Sequence, residues 1–439
     1  MSWETLQIAL GTVRDCSENE LAKKNATGAV IGGAAAYFAI AAPVAAPIVA
    51  VAAPIAIPLA IAVGVFTGAK GESTVKNVAN GIGSTFGKVA KGISGVLDVF
   101  KSDEDFFNRG IEKLQNEQYV EAVEDFTQAI NINPNYAEAY FLRGCIRSDA
   151  GDYQGAITDY SQTIQINPNY AEAYSNRGHI LFAQEDYESA ISDYTHSIRI
   201  KPNDADIYFR RGHAYMKLED YLSAVAEFTQ VIEIEPSCVD AYFIRGCLSS
   251  RLENYKEAVA DFTQVIKTNP NDTDSYFYRG EAHTATKDYK GAIHDFTEVI
   301  KINPNDAVAY FNRGNARVAI KDYDGAVADY TQVIKIEPNC NDAYFLRGCV
   351  RSEKGDKRGA IADYNQVIKS DPNYADAYVK RGYIRKDKGE KQEAIADFQK
   401  AMSLFYKEST LSEIQPLQKE IRTLQDEIKN TPWWQMRIF

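Results

Sequence analysis

The sequence of 439 residues lacks the short motifs by which most catalytic and nucleotide-binding sites are recognised. It contains no GxxxxGKS/T phosphate loop, no HExxH zinc motif, no GxSxG elbow and no CxxC pair. Histidine is scarce as well, with five in the whole chain. The sequence therefore predicts a protein that is not an enzyme and that holds neither a cofactor nor a metal ion.

Basic charge is in short supply over most of the chain. Residues 1–101 carry 8 Lys+Arg against 6 Asp+Glu, whereas residues 102–439 carry 40 against 54. Phosphate binding needs a basic surface, so this acidic region argues against nucleic acid as a partner.

Cysteine is also rare, and its spacing does not suggest a disulfide framework. Cys145, Cys247 and Cys349 follow one another at intervals of 102 residues, as do Cys238 and Cys340. Such regular copies indicate duplication of a block of sequence rather than chosen disulfide partners. Reduced thiols in a cytoplasmic compartment are the simplest interpretation.

What the sequence does contain is one pattern written nine times with a period of 34 residues. Each copy holds an Arg-Gly pair, from Arg109-Gly110 to Arg381-Gly382. A period of this length is typical of a solenoid of stacked supersecondary units. The copies begin at Asp103, Ala137, Ala171, Ala205, Val239, Thr273, Ala307, Asn341 and Ala375.

Each copy predicts two helices and no strand. Apolar positions recur at helical spacing from about position 2 to 14 and again from about position 18 to 31. Proline at position 32 ends the second helix in every copy but the last. Gly144 at position 8 is expected to face Ala156 at position 20 where the two helices cross. One hairpin cannot bury its own apolar face, so the nine must share a continuous core.

These residues resemble the tetratricopeptide repeat (TPR) family. The resemblance covers residues 103–408 and rests on a small residue at position 8, Ala at 20, Phe or Tyr at 24 and Pro at 32. It implies an all-α solenoid of helix-turn-helix units wound into a right-handed superhelix. The chain departs from the family at position 7, where Arg replaces the usual Leu, and Asp or Glu stands at position 23 in every copy. We expect these two charges to pair between the helices; the alternative is that each is solvated separately.

The resemblance also implies a concave groove, lined by the first helices, that binds peptides. Position 2 supplies an acidic row and position 5 an aromatic row, which would favour partner proteins or peptides with basic and apolar segments. The lysines with which one TPR subset clamps a carboxylate terminus are absent from positions 2 and 5, which excludes that function. The candidate groove residues are Glu104, Phe107, Glu138, Phe141, Glu172, His179, Asp206, Phe209, His213, Asp240, Phe243, Asp274, Phe277, Phe311, Asn315, Asp342 and Phe345.

Each groove assignment has a simpler alternative. The phenylalanines can be partly buried between neighbouring first helices, and the acids can be helix-start charges facing the positive end of the helix dipole. His179 and His213 share position 9 in adjacent copies. A metal site there would need further ligands that no pattern supplies, so a place in the groove wall is the favoured interpretation.

A long apolar segment precedes the repeats. Residues 25–69 hold no charged residue, and the segment 27–69 is long enough for two membrane passes joined by a turn. Gly28 and Gly32 in one half, and Gly64 and Gly68 in the other, have the small-xxx-small spacing that suits close helix packing. Lysines on both flanks favour a hairpin with both ends in the cytoplasm. A signal peptide, a hairpin buried in soluble protein and insertion only after a trigger are the alternatives.

The remaining segments are shorter. Residues 1–26 are polar, and residues 70–102 contain an amphipathic pattern over 81–101 that suits either anionic lipid at the headgroup layer or a cap on the first repeat. Residues 409–439 begin with apolar residues at helical spacing from Ile414 to Ile428, which predicts a capping helix. They end in an aromatic tail that can pack on that cap, touch the membrane or bind a partner.

The sequence as a whole predicts a membrane-tethered scaffold whose repeats face the cytoplasm and recruit other proteins, with lipid contacts through residues 27–101. Two alternatives remain. One is a membrane-inserting, pore-forming effector whose repeats sense a partner, and the other is a soluble cytoplasmic adaptor with a buried apolar cap. Homo-oligomer formation is a further open alternative. The plain repeat style would suit a bacterial protein.

Overall fold

The computed structural model describes residues 101–407 and 411–430, and within these ranges every regular element is a helix. The all-α prediction is confirmed for this part of the chain. The helices, numbered α1 to α19 in chain order, are Asp103–Gln115, Tyr119–Ile132, Ala137–Asp149, Tyr153–Ile166, Ala171–Ala183, Tyr187–Ile200, Ala205–Lys217, Tyr221–Ile234, Val239–Arg251, Tyr255–Thr268, Thr273–Ala285, Tyr289–Ile302, Ala307–Ala319, Tyr323–Ile336, Asn341–Glu353, Lys357–Ser370, Ala375–Asp387, Lys391–Lys407 and Leu411–Lys429.

Each repeat contributes one helix at positions 1–13 and a second that begins at position 17. Both begin one residue earlier than the sequence pattern predicts. The second helix begins early because an aspartate at position 16 caps it in most copies; in α4, for example, the Asp152 carboxylate accepts a hydrogen bond from the Gly155 amide. It ends early because the residue before proline is extended, as at Asn167, where φ is −126° and ψ is 92°.

The turn between the two helices needs a left-handed residue at position 15. Gly151, Gly355 and Gly389 adopt φ values of 81° to 85° there. Six other copies place a longer residue in the same conformation, with φ between 59° and 65°: Glu117, Glu185, Glu219, Glu253, Lys287 and Lys321. A side chain in this region is strained, so these turns are determined by the packing on either side and not by local preference.

Within each compact unit, the core lies between the two helices of a repeat. Alanine at position 20 is fully buried, and the ring at position 24 fills the space behind it. A Cβ on Gly144 would lie 2.9 Å from the Tyr160 ring and 3.2 Å from Asp159 Cβ. A side chain at position 8 would therefore meet Tyr160 and Asp159 of the second helix first, which explains why glycine stands there.

The helices form two compact units, one ending at Glu253 and one beginning at Asn254, so that α1 to α9 belong to the first and α10 to α19 to the second. In the second unit α19 packs on the last repeat and buries Ile414, Leu417 and Leu424. Its opposite side exposes polar residues such as Glu413 and Arg422. This is the arrangement by which a terminal helix covers the apolar end of a repeat array.

Within the described ranges, no helix has the length and apolar character needed to cross a membrane. The predicted hairpin at 27–69, with Gly28, Gly32, Gly64 and Gly68, lies outside these ranges. So do residues 1–26, the amphipathic segment up to residue 100 and the aromatic tail after residue 430.

Candidate peptide-binding groove

Arginine at position 7 pairs with the acid at position 23 of its own repeat, as predicted from the sequence. In repeat 3, Arg177 Nε lies 2.8 Å from Asp193 Oδ2 and its Nη2 lies 2.7 Å from Oδ1. The same two-pronged pairing recurs in repeats 1, 2, 4, 6, 7, 8 and 9, with glutamate in place of aspartate at Glu227. Paired donors on a planar guanidinium give a strong and directional contact with a carboxylate.

The same arginine also reaches the preceding repeat, which the sequence reading missed. Arg177 Nη1 donates to Ser161 Oγ at 2.9 Å, and Arg211 Nη1 donates to Thr195 Oγ1 at the same distance. Position 25 supplies the acceptor, which is a Ser or Thr hydroxyl in repeats 1 to 7 and the Asn365 amide oxygen in repeat 8. A hydroxyl at this position donates in turn to a carbonyl one turn earlier, as Thr195 does to Ile191. We call the residues at positions 7, 23 and 25 the staple, because together they join three helices. The recurrence of Ser or Thr at position 25 with the 34-residue period was the available signal.

The hydrogen bonds of the staple change the pKa values of the charged residues that form it. In repeat 1, burial acts to raise the pKa of Asp125, but hydrogen bonds from Arg109 and Lys113 outweigh it and hold that pKa below its usual value. In repeat 3, the hydrogen bond with Asp193 raises the pKa of Arg177. Each position-7 arginine is also stacked over the ring at position 4, as Arg143 is over Tyr140 at 5.5 Å. These arginines form ion pairs inside the array, so they do not neutralise the acidic row at position 2.

That acidic row lies on the surface, but its members differ. Glu104, Asp240 and Asp274 are exposed, whereas Glu138 and Asp342 are half-buried. Glu172 pairs with Lys201, the Asp206 carboxylate accepts a hydrogen bond from Arg210 Nε at 2.7 Å, and Asp342 accepts one from the Tyr374 hydroxyl at 3.3 Å. Although the Asp274 residue is exposed, protein packed around its carboxyl group and the charges of Asp272 and Asp306 raise its pKa. The row therefore offers both free and engaged carboxylates.

The phenylalanines at position 5 lie on the same first helices as this acidic row. Phe107, Phe141, Phe277 and Phe345 are buried, and Phe209, Phe243 and Phe311 are half-buried. Each ring packs on the ring at position 24 where the pair lies within one unit, as Phe209 does on Phe228 at 5.4 Å. Some also stack on a tyrosine at position 34, as Phe141 does on Tyr170 at 4.8 Å. Four of the seven are thus mainly core residues, as the simpler alternative anticipated, and three present part of a ring to solvent.

Position 9 carries the most varied chemistry. In two repeats the buried tyrosine at position 24 donates its hydroxyl to this residue, from Tyr330 to Asn315 Oδ1 at 2.8 Å and from Tyr364 to Cys349 Sγ at 3.5 Å. Burial raises the pKa of the Cys145 thiol, which also lies at position 9, to about 12, so that thiol is protonated at neutral pH.

His179 and His213 also lie at position 9, in repeats 3 and 4. The Nε2 atom of each is buried and has no hydrogen-bond partner. Burial lowers the pKa of His179 well below its usual value, and burial together with the charges of Arg210 and Lys217 lowers that of His213 to about 4. No group of three or more metal-ligating side chains occurs in the part of the chain that the structure describes. Burial therefore favours the neutral form of both imidazoles, and their place in the groove wall stays a prediction.

Models of the tetratricopeptide repeat match most of the array. The chain belongs to the tetratricopeptide repeat family. Models described as TPR repeat or tetratricopeptide repeat match residues 112–148, 144–184, 178–219, 205–238, 246–307, 307–340, 350–389 and 375–407, which together exceed half of the chain.

Solved structures give more distant likenesses. YrrB, a TPR protein described as having an unusual peptide-binding site, is 23% identical, and the match covers 42% of this chain and 95% of that one with a TM-score of 0.39. MamA from Desulfovibrio magneticus RS-1 is 22% identical over 39% of this chain and 96% of that one, with a TM-score of 0.35. The C-terminal part of a TPR protein from Cytophaga hutchinsonii is 18% identical over 55% and 98%, with a TM-score of 0.45. No curated relative matches this chain.

Proposed function

We propose that this protein is a non-enzymatic scaffold that recruits partner proteins through the first-helix face of its repeats. The observation that supports this most is the separation of charge: the arginines of the staple are paired inside the array, while exposed acids such as Asp240 remain on the surface beside half-buried rings such as that of Phe243. A face of this kind favours partner segments in which lysine or arginine alternates with apolar residues.

We further propose that residues 27–69 tether the array to a membrane, with the repeats facing the cytoplasm and with lipid contacts extending through residue 101. The absence of charge over residues 25–69 and the lysines on both sides support this part of the proposal.

Site-specific photo-cross-linking in the native host tests the recruiting function. A benzophenone side chain in place of Phe209, whose ring is half-buried in the groove, is expected to capture a discrete partner. The same group in place of Leu222 serves as the matched control, since Leu222 is 71% exposed on the second helix of the same repeat. Equal capture from both positions, or none from Phe209, would contradict the groove assignment.

Fractionation tests the tether separately. The full chain is expected to sediment with membranes and to be released by detergent but not by carbonate, whereas a chain of residues 102–439 is expected to remain in the supernatant. If both chains stay in the supernatant, the tether is wrong and residues 27–69 must be buried against protein.

A further inference from the structure

Position 11 of the first helix supplies a second cation to the acid at position 23 in several repeats. The nitrogen nearest to that acid lies 2.8 or 2.9 Å from it in Lys113, Arg147, Arg317, Arg351 and Arg385. In repeats 2, 7 and 8 the same arginine also reaches the aspartate at position 16 that caps the second helix, as Arg317 Nε does at 3.5 Å from Asp322 Oδ2. We call this double contact, from position 11 to positions 16 and 23, the bridge.

Repeat 6 builds the bridge from a histidine. His283 stands at position 11, with Nδ1 3.0 Å from Asp288 Oδ2 and Nε2 3.8 Å from Asp295 Oδ2. Asp288 is the capping residue of α12, where its carboxylate accepts a hydrogen bond from the Gly291 amide, and Asp295 is the acid at position 23. The imidazole therefore contacts the same two positions as the guanidinium of Arg317 in repeat 7.

Glycine at position 19 makes room for the bridging side chain. A Cβ on Gly291 would lie 2.9 Å from His283 Cγ, and one on Gly325 would lie 2.8 Å from Arg317 Cδ. Repeats 3, 4 and 5 have leucine, tyrosine and serine at position 11, and none of them has glycine at position 19. Repeat 6 thus shares the surroundings of the arginine bridges and differs from them in the bridging group.

That group changes its charge and its donors with pH. An arginine side chain stays charged and keeps all of its N–H donors, whereas imidazole gains or loses a proton near neutral pH. A neutral ring has one N–H, so His283 can then donate to only one of its two carboxylates, and the other nitrogen presents a lone pair. A protonated ring has an N–H on both nitrogens and a positive charge between Asp288 and Asp295, so both contacts become favourable.

The other charges around His283 leave a place for this proton. Arg279 already pairs with Asp295 through Nε and Nη2, and His294 Nδ1 lies 3.1 Å from the same carboxylate. Within the described part of the chain, no Lys, Arg or other His pairs with Asp288. The helices packed on α11 are α12 and α10, and no carboxylate of α10 forms an ion pair with His283 among the described residues. The charged residues of α10 are Lys256, Glu257, Asp261 and Lys267.

We propose that His283 makes repeat 6 a proton-sensitive element of the array, in which protonation of the ring ties α11 to both the start and the middle of α12. The tie is complete in mildly acidic solution and is partly lost as pH rises. Because α11 also carries Asp274 and Phe277 of the candidate groove, the proton controls how firmly the helix that presents them is held. This regulation adds to the proposed recruiting function and does not depend on it.

Hydrogen exchange of the full chain, measured by mass spectrometry at about pH 5.5 and about pH 8, tests the proposal on either side of the usual titration of imidazole. Each rate is divided by the intrinsic rate at the same pH to give a protection factor. Repeat 7, with Arg317 in the bridge, is the internal control. His283→Arg converts the bridge of repeat 6 into that of repeat 7, and His283→Leu removes it.

In the parent chain we expect protection of α11 and α12 to be about two- to five-fold lower at the higher pH, the size of effect that a partly exposed ion pair gives, while α13 and α14 do not share this loss. His283→Arg should keep the higher protection at both pH values, and His283→Leu should show the lower protection at both.

The proposal is wrong if α11 and α12 respond to pH no more than α13 and α14 do, or if His283→Arg responds like the parent chain. His294→Gln separates the two imidazoles at Asp295: if this change alone removes the response, the proton acts through His294 and not through His283. No partner is needed for these measurements, so failure here and failure of the recruiting function are distinguishable.

Discussion

Position 7 of the first helices carries arginine in all nine repeats, whereas position 9, two residues further along, carries six different residue types. The difference follows from what the two side chains contact. In repeat 2, for example, Arg143 joins its own helix to Asp159 at position 23 and to the Thr127 hydroxyl at position 25 of the preceding repeat.

The contacts of position 9 differ from repeat to repeat. Cys145 accepts a hydrogen bond from Asn176 of the next repeat, whereas the His213 ring packs on the rings of Phe209 and Phe228. The array therefore has two parts. The invariant frame consists of the staple residues and the turns that join the helices, and the variable face consists of the surface residues of the first helices, such as those at positions 2, 5 and 9. We expect the residues that determine function to lie on the variable face.

The largest expected effect comes from breaking the staple in repeat 3. Arg177→Leu leaves the Asp193 carboxylate, whose side chain is 6% exposed, without its cation, and position 11 holds Leu181, which cannot replace it. We expect the free energy of unfolding to fall by about 3–5 kcal/mol, measured by urea denaturation followed by circular dichroism. The matched control is Arg199→Leu, an exposed arginine in the same repeat, which should change little.

The double variant Arg177→Leu with Asp193→Leu sharpens this prediction. Replacement of both charges removes the buried carboxylate, so most of the lost stability should return. If the single and double variants are equally destabilised, the loss comes from packing and not from the unpaired charge.

The histidines on the variable face should make stability depend on pH. The pKa of His213 is about 4 in the folded chain and about 6.5 when unfolded, so the unfolded state binds more protons between these values. The free energy of unfolding should then fall by about 1.4 kcal/mol per pH unit for each such histidine as pH decreases from about 6.5 towards 4. His213→Phe should reduce this slope. An unchanged slope in His213→Phe would contradict the assignment.

A smaller effect of opposite sign is expected at the turns of the frame. Glu219 adopts φ of 59°, a conformation that Gly151 occupies in another copy without strain. Glu219→Gly should raise the free energy of unfolding by about 0.5–1 kcal/mol. Ala226→Gly, exposed in the middle of α8, should lower it by about 1 kcal/mol and so confirms that the turn geometry, not glycine itself, gives the gain.

The smallest effect on stability is expected in the acidic row. Asp240 is exposed at the start of α9, so Asp240→Lys should change the free energy of unfolding by no more than about 0.5 kcal/mol. The same change should reduce capture of a partner by the benzophenone at position 209. Full capture by Asp240→Lys would show that this carboxylate takes no part in recruitment.

The repeat period made the frame predictable. A pattern present in nine copies allows Arg at position 7 and acid at position 23 to be read as partners, because opposite charges recur at these two positions in every copy. The third member of the staple was missed because it comes from the preceding repeat, and the sequence pattern was read within one repeat. Arg143 with Thr127 shows the contact that such a reading overlooks.

The exposure of side chains on the variable face was harder to predict than the contacts of the frame. Helical spacing places a phenylalanine on the groove side, but its ring can turn towards the core, and Phe345 does so while Phe311 is partly exposed. The exposure of each ring depends on its neighbours at positions 24 and 34, which differ between repeats.

Hydrogen exchange of the full chain measured by mass spectrometry tests the separation of frame and face most directly. We predict that Arg177→Leu increases exchange in α4, α5 and α6, the three helices that Arg177 joins, and that Asp240→Lys leaves exchange in α9 at the level of the parent chain. The account would be contradicted if Asp240→Lys loosened its helix as much as Arg177→Leu does, or if loss of Arg177 left all three helices protected.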